Sequence, residues 1–503
     1  IMSNSELATE PPESGLRNPP MPISWKCYLI ALYLISWAWI LLASESVFWD
    51  DWILIISETD RWQKGYEELG VPLYGWMHQG LLALGPWAYR VVTLVCWLTI
   101  GFLWDAILRR APGMDARLRF LAAAVVLLVP LYSARYLLVV TNYTLSLTAF
   151  VLAWYLLVKR RKISVLRLIG ALPLLALSYT SNQLLPFTIV IVISMVAFRL
   201  RASPSARSWL PTLLLLVPII YFPVSRAIQP REGLWANAYQ MEISSSWFLL
   251  ALTTVGCLAS GWLIAKVHEP VQVKSGLWLS VLCGSTLLGL GVLPYWLTNR
   301  TVTTFSWLSR NQLLLAFGVS LLMVACALLL WRLLGRNLGI GLLSLVLVGF
   351  ILADIYICRG YIRDWRKQEQ LISLISQSPQ IRNATLIFFD DQTLGNNLYS
   401  RGYTWFEWNA LLMTAFGEET RFGVSESFHL QQYLDGQLDL QFSDGATTNG
   451  AIEHARSADG LLVRVVSEQS GAAWDFPTYK LEPQGVLPIE SLPLDRPYSG
   501  RDN

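Results

Sequence analysis

Residues Phe48-Trp49-Asp50-Asp51-Trp52 set two adjacent carboxylates shortly after an apolar run, Trp25 to Ala43, that is long enough to cross a bilayer. Two neighbouring carboxylates in a poorly hydrated place do not easily ionise together. They either neutralise a cation or divide into a proton acceptor and a partner of shifted affinity. Both arrangements suit activation of a hydroxyl. In sugar transfer a base takes the proton of the acceptor hydroxyl as it attacks the anomeric carbon, and cationic groups hold the departing phosphate. The plain alternative is a solvated helix end, with Trp49 and Trp52 as an ordinary aromatic belt. Acid pairs also bind divalent ions, so Mg, Mn or Ca is the one kind of cofactor the pair invites.

Other residues could complete such a site. Arg300 and Arg310 bracket Thr301 to Ser309, and a guanidinium offers a fork of donors to a phosphate. Arg310 also falls near the start of an apolar helix, where free N–H groups favour an anion. Arg226 and Arg231 are weaker candidates of the same kind. His78 could position an acceptor, although a lone loop histidine is more often structural. Glu58, Glu67 and Glu68 have similar standing, and Trp49 and Trp52 could contact substrate. A second acid pair, Asp390-Asp391, follows a strand-like run, where a turn is the commoner explanation.

The elements that must position these groups are mostly apolar. Of 503 residues 54% are hydrophobic and 15% charged, with a mean hydropathy of +0.44, which indicates an integral membrane protein rather than a soluble domain. About eleven runs have the length and polarity of spanning helices. They cover 25–43, 87–108, 119–139, 143–158, 163–181, 184–199, 209–226, 247–266, 276–297, 312–332 and 338–357. Lys and Arg cluster in alternate loops: Arg109 to Arg119, Lys159 to Lys162, Arg199 to Arg207, Lys266 and Lys274, Arg332 and Arg336. Taken as cytoplasmic, these loops put the N-terminus inside and both the acid pair and everything after Cys358 outside. The spans carry few charges; Asp105, Arg135, Arg167 and Asp354 fall near their expected ends. The six cysteines lie in or beside apolar runs and suggest no disulfide framework.

Three regions follow: a polar tail over 1–24, a membrane body over 25–358 containing a first external loop at 44–86, and a polar segment over 359–503 large enough for its own core. In the loop, Trp52 to Leu69 has the spacing of one helix lying in the interface plane. A re-entrant stretch begins at Pro72-Leu73-Tyr74-Gly75-Trp76. In the polar segment Ala384 to Phe389 and Leu461 to Val466 read as strands, and Thr404 to Phe416 as a helix between them. The fold class expected is mostly α, a polytopic bundle with a small external α/β domain.

The paired acids in the first external loop, the Pro72-containing stretch, the span layout and the polar C-terminal segment resemble the GT-C superfamily of integral-membrane glycosyltransferases. The resemblance implies a polyprenyl-phosphate sugar donor, inversion at the anomeric carbon, and a hexosyl- or pentosyltransferase acting on a glycan, lipid or protein hydroxyl. It puts the base at Asp50, with Asp51 as supporting acid or metal ligand; the arginines above, Arg300 and Arg310, would hold the donor phosphate. It also implies a multi-pass protein of the inner (plasma) membrane, working on the periplasmic or extracellular face with lipids and no nucleic acid as partners. The Arg that some relatives place before the proline is absent from Leu69-Gly70-Val71-Pro72. A transporter or lipid-linked-glycan flippase is the alternative, one that ordinarily needs ionisable groups inside the spans.

Overall fold

A computed structural model describes residues 19–56, 59–68, 71–111, 114–158, 165–200, 220, 273–296, 307–418, 420–425, 460–468 and 477–487. The chain is mostly helical, with one small sheet among the described residues. Among the described residues six helices are long and apolar enough to cross a membrane. The spans expected at 209–226 and 247–266 lie outside the described residues.

The body opens with α1 (Ile23–Trp37), which tightens into a 3-10 turn over Ala38–Ala43. Three short helices follow: α2 (Asp51–Ile56), α3 (Thr59–Glu68) and α4 (Pro72–Leu82). The single interfacial helix expected from Trp52 to Leu69 is therefore two, and its first turn faces inward: Leu54 is buried, and Trp52 enters the core of the polar segment. Helix α4 starts on Pro72, whose fixed φ suits a first helical position.

Helix α5 (Pro86–Leu108) crosses the centre of the body and packs on α6 (Ala116–Leu128) and α7 (Thr141–Val158). Gly101 of α5 accepts the Leu127 side chain where a Cβ would stand, so these two helices approach closely. The span expected at 119–139 is not one helix. It stops at Leu128, and Val129 turns extended at φ −64°, ψ 123°. The cause is Pro130, which disfavours helical backbone in the residue before it and offers no N–H. The chain then makes a 3-10 turn over Ser133–Tyr136 before α7.

Helices α8 (Val165–Tyr179) and α9 (Thr188–Leu200) follow, then α10 (Val273–Trp296), a 3-10 turn over Trp307–Gln312, and α11 (Leu315–Leu334). The last membrane element, α12, runs unbroken for 42 residues from Arg336 to Gln377. Gly335, at φ 79°, turns the chain from α11 into it. Its first half exposes Leu338, Leu345, Val348, Leu352 and Tyr356, an apolar face suited to lipid. Its last turns bury Leu371 and Ile375 in the core of the polar segment. Residue 358 thus falls inside a helix, and body and polar segment share it.

Beyond a one-turn helix, α13 (Pro379–Asn383), come β1 (Leu386–Asp391), α14 (Trp405–Phe416), β2 (Phe422–Val424), β3 (Gly460–Ser467) and β4 (Tyr479–Leu487). The sheet order is β2-β1-β3-β4, with β1 parallel to β2 and β3, and β4 antiparallel to β3. Leu386 to Phe389 are all buried, as a central parallel strand requires. Thr404 and Glu407 form a capping box that starts α14. Phe389 and Trp408 stack at 4.0 Å and lock α14 to the sheet.

Candidate active site

The acid pair sits where the first body segment turns into α2. Trp49 holds φ 51°, a left-handed conformation that a bulky side chain rarely adopts. The turn is closed by the amides of Asp51, Trp52 and Leu54, which donate to Phe48, Trp49 and Asp50 carbonyls. Because of it the two acids part company. Asp51 points into the body and is fully buried, whereas Asp50 keeps part of its surface open.

Each carboxylate has a distinct environment. Asp51 Oδ1 accepts the Val139 N–H at 2.9 Å, with the Leu138 amide also contributing. Its other oxygen is buried and has no hydrogen-bond partner. Burial pushes the Asp51 carboxyl up to about 7, against the pull of Arg90 and the two amides. Arg90 lies inside α5, and its Nη2 is given to the Ser46 carbonyl at 2.8 Å and Ser46 Oγ at 3.1 Å. It braces the chain just before the acids.

Asp50 faces two guanidinium groups and one further carboxylate. Burial raises its carboxyl to about 6; Arg310 and Arg401 oppose that rise, as does a hydrogen bond from Trp49, and Glu407 adds to it. Arg310 comes from the 3-10 turn before α11. That turn is fastened to the body through Ser309, whose Oγ accepts from the Ala134 N–H at 2.8 Å and pairs with Ser133 Oγ at 3.0 Å. Tyr361 of α12 donates to the Ser133 carbonyl at 3.1 Å, and Tyr399 to its hydroxyl at 2.7 Å. One short stretch, 133–139, therefore holds Asp51 at one end and the neighbour of Arg310 at the other.

Arg401 and Glu407 belong to the polar segment. Arg401 donates two hydrogen bonds to Glu407, at 2.5 and 2.6 Å, and its guanidinium lies 4.2 Å over the Trp49 ring. Glu407 accepts the Trp49 N–H at 3.3 Å. Trp52 Nε1 donates to Gln368 of α12 at 2.7 Å. The acid turn is thus built into the polar segment as firmly as into the body.

The remaining sequence candidates are scattered. Trp52 is buried in the core of the polar segment, while Trp49 is half-buried beneath Arg401. His78 is also sealed, between Tyr66 at 5.2 Å and Tyr89 at 5.6 Å. Burial drives its imidazole down to about 3 and leaves it neutral. Glu67 stands on the exposed side of α3, taking a hydrogen bond from Gln63 at 2.8 Å. Arg231 and Arg300 lie outside the described residues, as do Arg226 and the side chain of Glu58.

Asp390 pairs with Arg464 at 3.3 Å. Asp391 accepts Lys367 Nζ at 2.6 Å and caps Thr393. Burial alone would raise Asp391, but Lys367 and Thr393 outweigh it and hold its carboxyl below the usual range. This second acid pair is spent on architecture. Among the described residues no three His, Cys, Asp or Glu side chains come together as a metal-binding group.

Sequence reasoning missed Arg90, Arg401 and Glu407. Arg90 was detectable as the lone cation inside the second apolar run, since a charge there needs a reason. Arg401 and Glu407 carried no signal, because only the tertiary fold brings a helix cap of the polar segment onto a turn some 350 residues earlier. The fold and site define the chain as a mostly helical protein with, among the described residues, six apolar helices of membrane-crossing length and an acidic turn clasped between body and polar segment. No protein-family model, curated protein or solved structure matches it.

Proposed function

We propose that the protein is a membrane glycosyltransferase that moves a sugar from a polyprenyl-phosphate donor to an acceptor hydroxyl, with Asp50 as the base. The observation that carries this reading is a partly open Asp50 carboxylate whose ionised form is favoured by the charge of Arg310. The choice of Asp50 over Asp51 is supported by burial: Asp51 is sealed and accepts the Val139 amide. Asp50 takes the proton of the acceptor hydroxyl; the acceptor oxygen bonds to the anomeric carbon from the face opposite the phosphate. The bond from that carbon to the phosphate oxygen breaks, and polyprenyl phosphate leaves with its charge against Arg310. An acid held near 6 is ionised at neutral pH yet more basic than a free aspartate, and the transfer rate falls as pH drops below about 6.

The reading includes a finer topology of about eleven spans, the N-terminus in the cytoplasm, and the acid turn and polar segment on the opposite face. Accessibility labelling of single cysteines placed at 45 and 418 checks it, and labelling only from the cytosol would overturn it. The enzymatic test uses purified full-length protein in lipid nanodiscs with defined polyprenyl-phosphate sugars and a panel of glycan, lipid and peptide acceptors. Asp50→Asn is expected to lose about 10²–10⁴-fold in turnover with an unchanged melting temperature. A fully active Asp50→Asn, Asp51→Asn protein would remove the mechanism. A transporter or flippase draws support from Arg90, Arg135 and Asp354, which lie buried in the helical body. Substrate flux in proteoliposomes without any glycosylated product would favour it.

A further inference from the structure

Trp49, beside the acid pair, holds a left-handed backbone, as Tyr399 and Ser400 do just before Arg401. Such a conformation in a bulky residue costs on the order of 1–3 kcal/mol and persists only where the surroundings impose it. Here what imposes it comes from the polar segment. Glu407 takes the Trp49 amide, Arg401 lies flat against the indole, and a hydrogen bond from the same tryptophan reaches Asp50. Glu407 is itself held by the capping box of α14, accepting from the Thr404 amide at 2.9 Å and its hydroxyl at 3.1 Å. The neighbouring anchors agree: Val47 and Trp52, on either side of the turn, belong to the same apolar core as Leu371, Phe389, Trp408 and Val463.

We propose that Arg401 and Glu407 are positioning residues for the site, holding Trp49 in its left-handed conformation and through it setting the direction of the partly open Asp50 carboxylate. This rests on the reading of Asp50 as the base. It makes the polar segment an integral wall of the active site rather than an appended binding module. It also explains the division of labour in the acid pair: the turn that swings Asp51 inward to the 138–139 amides is the turn that leaves Asp50 facing out.

Two readouts test it on the full-length protein. The first is hydrogen exchange, which needs no activity. In Glu407→Gln the amides of residues 49–54 are expected to exchange at least about tenfold faster than in the wild type, while those of α5 stay unchanged. The second is the pH dependence of kcat/KM with a polyprenyl-phosphate sugar. The charges that act on Asp50 are Arg310 from the turn before α11, Arg401 and Glu407 from the polar segment and Asp51 beside it; Tyr66 of α3 is a further titratable neighbour, and Arg90 of α5 acts on Asp51. Arg401→Gln removes a cation and leaves Glu407 uncompensated, so the acid limb moves to higher pH. Glu407→Gln does the reverse, and the limb moves to lower pH; each shift is roughly half a unit or more. Arg401→Lys restores the limb towards its wild-type place.

A residue that served only to keep the chain folded would not move the limb in opposite directions. Should either variant fold poorly, Trp49→Phe keeps a ring for Arg401 but loses the indole donor, and its acid limb is expected to rise. Unchanged exchange in Glu407→Gln, limbs that move the same way, or no limb movement in Trp49→Phe overturns the proposal. Absence of any transfer by the wild type would instead remove the glycosyltransferase reading, and the exchange experiment would still decide whether the clamp exists.

Discussion

Asp354 and Asp51 are both sealed from solvent, and the molecule treats them in opposite ways. Asp354, in α12, receives Arg135 Nη2 at 2.7 Å and Ser36 Oγ at 2.5 Å on one oxygen. Arg135 in turn donates to the Leu127 carbonyl at 3.1 Å and lies over the rings of Trp97 and Tyr136. A similar pair, Arg119 with Asp105 at 2.9 Å, ties α6 to α5. In the acid turn the cation is spent elsewhere: Arg90 gives its bonds to Ser46, and Asp51 keeps one oxygen without a hydrogen-bond partner. Deep in the body the carboxylate is spent on an ion pair that joins helices; at the turn one carboxylate oxygen is left without a hydrogen bond. The difference separates architecture from chemistry among residues of one type.

The largest expected effect is on the cancelled pair. Arg135→Met leaves Asp354 buried without its cation, at a cost of about 3–5 kcal/mol, and the protein should lose monodispersity in detergent. Replacing both, Arg135→Met with Asp354→Leu, should recover most of the melting temperature. If the single variant is as stable as the wild type, the contrast between the regions disappears. Next comes Arg310→Ala, expected to lower kcat by about 10²–10³-fold with little change in melting temperature; a rise in KM alone would make Arg310 a binding residue only.

Asp51→Asn sharpens the contrast through stability. The buried carboxyl is raised to about 7 from an ordinary 3.8, so the folded protein holds that proton more tightly than the unfolded chain. Its contribution is complete below about pH 4 and is lost as pH rises towards 7. The wild-type melting temperature should fall across that window, and the fall should flatten in Asp51→Asn, whose amide oxygen still accepts the Val139 N–H. The smallest effect belongs to His78→Gln. A ring already neutral at every working pH cannot shape the pH profile above 5, so only its stacking on Tyr66 and Tyr89 is lost, worth about 1 kcal/mol.

Much of the fold was legible because hydrophobic runs and cap residues act locally. The strands at Leu386 and Leu461 and the Thr404-capped α14 appear within a residue or two of their expected places. The short apolar helices were harder. Pro130 was in plain view, yet its effect on the 119–139 run depends on whether the body can satisfy the broken ends, as the 3-10 turn at Ser133 does. Of the site, Asp50 and Arg310 were readable as types of residue in plausible loops. Their separation into one open and one sealed acid was not, because it follows from the backbone of Trp49, and that backbone answers to Glu407 and Arg401 from a distant part of the chain. Trp52 misled for the same reason: an aromatic beside a span looks like a belt until a second core claims it.

Helix α12 leaves no slack between the two halves of the molecule. At about 1.5 Å per residue its 42 residues make a shaft about 63 Å long, gripped at one end by the bundle and at the other by the sheet. A displacement of the sheet would therefore not be absorbed by a loose tether. It would reach Asp354 and the Trp52–Gln368 contact through the helix itself, so movement of the sheet and the set of the acidic turn are mechanically one thing.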